Sequence, residues 1–167
     1  HAYIMIFSDR GRVYWLKVHQ IPDVGPGARG KAIANLVSMR TDERIAALLA
    51  VKEFDPDHYV VMGTRHGRVK KTPLTAFSNP RAGGIVAMGV GEEDVVMAVQ
   101  ISMGKSEIFM GTRSGMSIRF RESNVRSMGR TARGVRGINL RDGDTVVAME
   151  VLQSEATILT VTAHGYG

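Results

Sequence analysis

The chain has 167 residues, 44% of them hydrophobic and 23% charged, enough to bury a core and too apolar for a disordered segment. It contains no cysteine, which excludes disulfides, thiolate metal sites and a cysteine nucleophile. The net charge is +6, and between Lys105 and Arg141 nine basic residues stand against two acidic ones, so the excess is concentrated and points to a polyanionic partner.

The first apolar run, AYIMIF at 2–7, is a strand candidate. Like IAALLAV at 45–51 it is far too short to span a bilayer, and no basic region with a signal-like apolar stretch stands at the start, so a soluble cytoplasmic chain is expected. A turn from Ser8 to Gly11 follows, and RVYWLKV at 12–18 returns as a second strand. Next come a basic Gly-rich stretch, ARGKAIANL at 28–36, and an acidic turn leading into an apolar strand, DERIAALLAV at 42–51.

The same three signatures then recur. VVMGTRHGRVKKTPL at 60–74, PRAGGIVAM at 80–88 and EEDVVMAVQI at 92–101 form a second pass. EIFMGTRSGMSIRFR at 107–121, ARGVRGINL at 132–140 and GDTVVAMEVL at 143–152 form a third, and ILTVTAHGYG at 158–167 begins another. Gly11, Gly67, Gly115 and Gly165 are 56, 48 and 50 residues apart, and Arg29, Arg81 and Arg133 are separated by 52 and 52. The units are therefore approximately 1–52, 53–104 and 105–156, with 157–167 starting the next, and the chain, 1–167, is either part of a larger propeller or pairs its terminal strands in some unusual way.

Four short strands in about fifty residues fit a propeller-like blade, and no 3.6-residue periodicity supports a helix. RIAALLAV alone would pass for a helix, but its counterparts VVMAVQI and VVAMEVL are rich in Val, so all three are read as strands. After Gly115, Met116, Ile118 and Phe120 share one face of a strand and Ser117, Arg119 and Arg121 the other. Trp15 and Lys17 in the first unit, and Lys71 and Pro73 in the second, align with that second face, which reads as an exposed, repeatedly basic side.

Other chemistries fit poorly. GPGARGKA at 25–32 has Gly-x4-Gly-Lys spacing, but Ala32 stands where a phosphate loop needs Ser or Thr. His1, His19, His58, His66 and His164 lack metal-ligand spacing. The acidic residues Asp42, Glu43, Glu92, Glu93, Asp94, Asp142 and Asp144 sit in repeated turns, which favours architecture over an acid–base pair. With aromatics at 6%, Tyr14, Trp15 and Phe120 read as core rather than as base-stacking platforms, although the alignment of Trp15 with Lys71 and Arg119 would turn it outward.

The basic side chains carry the functional expectation. Arg29, Lys31, Arg81, Arg126, Arg130, Arg133 and Arg136 lie in or beside the Gly-rich connections, and Lys17, Arg68, Lys70, Lys71, Arg119 and Arg121 on strands. A positive band of these suits a bent DNA duplex, through salt-sensitive phosphate contacts that offset the cost of curvature. The rival is a β-propeller module that binds proteins.

The stretches FSDRGRVYWLKVHQIPDVGPGARGKAIANL at 7–36, GTRHGRVKKTPLTAF at 63–77 and GTRSGMSIRFRESNVRSMGRTARGVRGINLRDGDTVV at 111–147 resemble the C-terminal domain of the A subunit of bacterial DNA gyrase. The resemblance implies an all-β β-pinwheel, a propeller-like disc of strand-exchanged four-stranded blades, of which this chain would be about three blades or half the domain. It implies no catalytic residue and no cofactor in this chain, a basic perimeter that wraps double-stranded DNA, and two protein partners, the catalytic core of gyrase A and the gyrase B protein. ATP and Mg²⁺ belong to the complete negative-supercoiling enzyme, located in the bacterial cytoplasm with the nucleoid. The family's hallmark heptapeptide, Gln-Arg-Arg-Gly-Gly-Lys-Gly, is absent, with PRAGG at 80–84 and ARGKA at 28–32 as its local echoes. A fragment without it is expected to bind DNA yet fail to wrap it productively, and an incomplete disc to self-associate. The related topoisomerase IV domain is the alternative member.

Overall fold

The computed structural model of the chain describes residues 2–21, 26–27 and 33–152. Arg29, Lys31, the first and last histidines and the fourth turn at 158–167 lie outside these residues. The elements run β1 (Tyr3–Ser8), β2 (Arg12–Lys17), β3 (Ile45–Val51), β4 (Tyr59–Thr64), β5 (Arg68–Pro73), β6 (Ile85–Val86), β7 (Val96–Ser102), β8 (Glu107–Thr112), β9 (Ser117–Arg121), β10 (Val135–Arg136) and β11 (Val146–Leu152). Short 3-10 turns occupy Val18–Gln20, Ile33–Leu36, Leu74–Phe77 and Glu122–Asn124. The strand reading of RIAALLAV holds in β3, as it does for its counterparts in β7 and β11.

Every hairpin is built from the same parts. Gly11, Gly67 and Gly115 have φ of +81°, +92° and +87°, a region open to Gly at little cost. Each glycine N–H donates to the carbonyl of the Ser or Thr three residues earlier, at 3.1 Å in all three turns. That residue's hydroxyl accepts the N–H of the residue after the glycine: Ser8 from Arg12 at 3.2 Å, Thr64 from Arg68 at 3.1 Å and Thr112 from Met116 at 3.1 Å. The Ser/Thr-x-x-Gly signature thus closes its own turn on both sides.

The all-β class stands, with every named strand pair antiparallel, but the expected β-pinwheel does not. The strands form three separate open sheets, ordered β3-β1-β2-β6, β10-β5-β4-β7 and β11-β8-β9, and none closes on itself. The third has three strands among the described residues rather than the four of a blade. What is absent is closure, while strands are exchanged between units: β6, from the second unit, completes the first sheet, and β10, from the third unit, completes the second. The third sheet has no such donor among the described residues, and its contacts run back to the second through β7 and β11. The result is an open row.

Two apolar seams hold the row together. Met5, Phe7 and Val13 of the first sheet pack with Val60, Met62 and Val99 of the second, around an edge-to-face pair of Phe7 and Phe77 with ring centroids 6.0 Å apart. Val61 and Val69, on the other face of the second sheet, pack with Ile108, Met110 and Met149 of the third. The alternation of Val60 and Val61 sends successive side chains of β4 into different seams. Truncating Met62 of the first seam or Met110 of the second to Ala costs about 2–5 kcal/mol.

Repeated main-chain bonds cross the seams. Val96 N–H donates to Asp9 O at 2.9 Å and Val146 N–H to Arg65 O at 2.7 Å, while Ala87 N–H reaches Gly11 O and Gly137 N–H reaches Gly67 O, each at 2.7 Å. The donated strands approach so closely that a side chain is excluded. Gly134 has φ +80°, and a Cβ there would press on the Val69 carbonyl and stand 3.1 Å from Lys70 Cβ. Gly115 has a similar φ but open space around it. Gly115→Ala is therefore expected to cost about 1 kcal/mol of unfolding free energy in urea titration, and Gly134→Ala at least about twice that, because contact adds to conformational strain.

Candidate nucleic-acid interface

The predicted basic residues separate into three groups. Lys17, Arg81, Arg121, Arg126, Arg133 and Arg136 are exposed, and Arg130 is half-buried. Arg81 and Arg133 stand at matching places, each just before a glycine-rich approach to the preceding sheet, and Arg126 to Arg136 lie along the connection that leads into β10. Among the described residues, none of these seven has a carboxylate partner within ion-pair distance.

A second group is committed to the protein itself. Arg68 is exposed, yet its guanidinium donates to Gly134 O at 3.1 Å. Arg12, its counterpart one residue after the hairpin glycine, donates to Gly83 O at 3.0 Å and Gly84 O at 3.2 Å. Arg119 pairs with Glu107. Arg10, which the sequence reading passed over, donates to Asp94 O at 2.6 Å and Gly91 O at 3.2 Å and so ties the first hairpin to the second acidic turn. The signal was its place inside a repeated turn.

The third group, Lys70 and Lys71, lies inside the molecule. Lys71 is 7% exposed, with its ammonium 3.6 Å from the fully buried Glu122 carboxylate and 4.8 Å from the Tyr59 ring centroid. Glu122 also accepts from the Ser102 hydroxyl at 2.8 Å, so the buried charge is paired and bonded. The strand side assigned as exposed is therefore the side that meets the next sheet. Trp15 confirms this: it packs into the first seam and donates its indole N–H to Phe77 O at 3.1 Å. Arg119 and Arg121 occupy the corresponding face of β9, which no described sheet covers.

Lys70, one residue earlier, points the other way and is 0% exposed. Its ammonium donates to Ala87 O and, at 2.6 Å, to Arg130 O, with no carboxylate among its bonded partners. Burial, assisted by the charge of Arg130, pushes its pKa down to about 7.

The acidic turns serve the backbone. Asp94 accepts the N–H groups of His66 at 3.0 Å and Val95 at 2.9 Å, and Asp144 those of Ser114 at 3.0 Å and Thr145 at 2.9 Å. Burial alone would raise the Asp144 pKa, but the bonds from Thr112 and these N–H groups outweigh it and hold it low. In the first unit Glu43 takes this place, accepting from Ser8 at 2.9 Å, from Arg40 N–H at 2.9 Å and from the Tyr14 hydroxyl; these bonds outweigh its burial and lower its pKa. No group of three or more His, Cys, Asp or Glu able to hold a metal occurs among the described residues. None of the described helices is long and apolar enough to cross a membrane.

A family model described as "DNA gyrase C-terminal domain, beta-propeller" matches residues 2–52, 58–102 and 106–153. The chain belongs to the DNA gyrase C-terminal domain family. This is the non-catalytic region of gyrase A in that family. The word "beta-propeller" describes the family, whereas the described part of this member is an open row of sheets. The DNA gyrase A protein of Salmonella typhimurium is 46% identical over 167 residues, covering all of this chain and 19% of that protein. The DNA gyrase A protein of Haloquadratum walsbyi is 42% identical over 173 residues, covering all of this chain and 20% of that protein. The chain thus spans about a fifth of the curated relatives it matches.

Two solved structures are similar. The C-terminal domain of DNA topoisomerase IV superposes with a TM-score of 0.85 at 30% identity, covering 92% of this chain and 48% of that one. A DNA gyrase A C-terminal domain gives 0.75 at 22% identity, covering 90% and 48%, a likeness of fold alone.

The buried lysine gives this family member a measurable pH response. Lys70 titrates near 7 when folded and near 10.4 when unfolded, so between those values the unfolded chain binds more protons and stability rises with pH. Urea denaturation from pH 7 to 9.5 is expected to show a gain of about 3 kcal/mol at most. Lys70→Met is expected to flatten that rise.

Proposed function

We propose that this chain is a duplex-DNA-binding part of the gyrase A component of a bacterial type IIA topoisomerase, and that it bends or wraps DNA for the whole enzyme. The observation that carries this reading is the set of exposed arginines on the connections, Arg81 in the second unit and Arg126, Arg133 and Arg136 in the third, with no carboxylate partner among the described residues. A guanidinium free of carboxylates offers its fork of N–H donors to phosphate. Phosphate contact is indifferent to sequence, releases counterions, and offsets the few kcal/mol that bending a short duplex costs.

In this reading the partners are the catalytic core of gyrase A and the gyrase B protein, and ATP and Mg²⁺ act there rather than here, driving the negative supercoiling that the wrap directs. The relatives' names favour gyrase, and the 30% identical topoisomerase IV domain supports the second member as the alternative. The bacterial cytoplasm follows from the DNA partner. Arg29 joins the contact set on the strength of its alignment with Arg81 and Arg133, and Lys31 as a second basic residue of the same Gly-rich connection. The edge of β9, which pairs with no further strand among the described residues, makes self-association of a short fragment a further expectation.

Replacing Arg126, Arg133 and Arg136 together with Ala is expected to weaken binding to unrelated duplexes by similar factors. The slope of log affinity against log salt should fall by about 2–3. Fluorescence anisotropy over a salt series reads both, and ligation of nicked circles with bound protein reads the wrap as a linking-number change. Salt-insensitive binding, or loss confined to one DNA sequence, would overturn the reading.

A further inference from the structure

The connection that carries the arginines has few contacts of its own, and its course is set by what it crosses. Met128 N–H donates to Lys71 O at 2.8 Å, Ala132 O accepts from Gly89 N–H at 3.0 Å, and Arg130 O accepts from the Lys70 ammonium at 2.6 Å. At Gly134 the backbone passes above the base of the same lysine, within 3.1 Å of Lys70 Cβ as measured from an added methyl. The connection therefore follows the Lys70 side chain from ammonium to Cβ before it pairs as β10 with β5. Two side chains anchor the connection, the Lys70 ammonium at Arg130 O and the Arg68 guanidinium at Gly134 O, 3.1 Å away; of the two, Lys70 is buried and Arg68 exposed.

The second acceptor belongs to a different segment. Ala87 follows β6, the strand that the second unit lends to the first sheet, so one ammonium links the segments adjoining both lent strands. A lysine suits this place because it presents donors and no acceptor to two carbonyls. The neutral amine, favoured once burial has lowered the pKa to about 7, still has two N–H groups for the two carbonyls. The corresponding position holds Tyr14 in the first unit, where the hydroxyl reaches Glu43, and Ile118 in the third, which is exposed. The device is thus particular to the unit whose outer strand brings the arginine-rich connection.

We propose that Lys70 is a positioning residue for DNA binding, which orders the connection 126–136 in advance so that Arg126, Arg133 and Arg136 meet phosphates without first having to be fixed. The proposal rests on the DNA-binding reading above. Ordering a loop before contact removes part of the entropy cost that binding otherwise bears, and that saving appears as affinity.

The test compares the protein with its Lys70→Met variant, which keeps the apolar stem and removes both bonds. Hydrogen exchange of peptides spanning 126–136 is expected to quicken while the strand peptides of β4 and β8 stay protected. DNA affinity is expected to fall about fivefold at a temperature where both proteins are folded. In a background already carrying Ala at 126, 133 and 136 the same change should have no further effect, a non-additivity that mere loss of stability would not produce. The 167 residues contain no cysteine, so a Lys70→Cys variant alkylated with 2-bromoethylamine while unfolded, then refolded, rebuilds an amine of nearly the same reach and should restore both readouts. That pair also serves if the Met variant does not fold. Failure of the unaltered protein to bind duplex DNA would sink the DNA-binding reading. Normal binding by that protein, with affinity and exchange unchanged in a folded Lys70→Met variant, would overturn the role of Lys70.

Discussion

The structure depends on one unit lending a short strand to the sheet before it. β6 and β10 are two residues each, too short to persist alone, and each exists because the edge of β2 or β5 offers N–H and C=O groups to pair with. That pairing fixes the rest. It brings a glycine-rich approach against the preceding hairpin, sets the spacing between sheets, and lays the intervening connection across the seam. The apolar seams supply the free energy, and the lent strands decide which faces come together.

The repeated signatures made the hairpins, the acidic turns and the β class legible, because each rests on local chemistry. A Ser or Thr hydroxyl, a positive-φ glycine and an aspartate that receives turn N–H groups act within a few residues or between adjacent strands, and a period near fifty residues repeats them. The direction of the strand faces was not legible in the same way. Alternation shows that Lys71 and Arg119 share a side, but not that a further sheet covers this side in two of the three units. A lysine beside apolar residues suggests solvent, and only the placement of Glu122, fifty-one positions away, reveals a buried pair. The number of sheets and their openness likewise depend on contacts between units, which a local pattern does not encode.

The charge distribution follows the same division. Arginines next to the hairpin glycines, Arg10, Arg12 and Arg68, are held by backbone carbonyls of neighbouring segments, so their positive charge is part of the joint between units. Among the described residues, the arginines farther out on the connections, Arg81, Arg126, Arg133 and Arg136, donate to no such carbonyl and are exposed. Counting basic residues along the chain merges these two populations, and the geometry separates them.

Among the described residues the second sheet is the one that packs against a neighbouring sheet on each face, since β4 sends Val60 into one seam and Val61 into the other. In a row so connected, cooperativity is that of a short one-dimensional lattice, where terminal members can fray while the central one opens only as the whole gives way. Lys70 and the arms it steadies belong to that slowest-opening region, so the surface nearest it stays shaped during fluctuations that loosen the outer members.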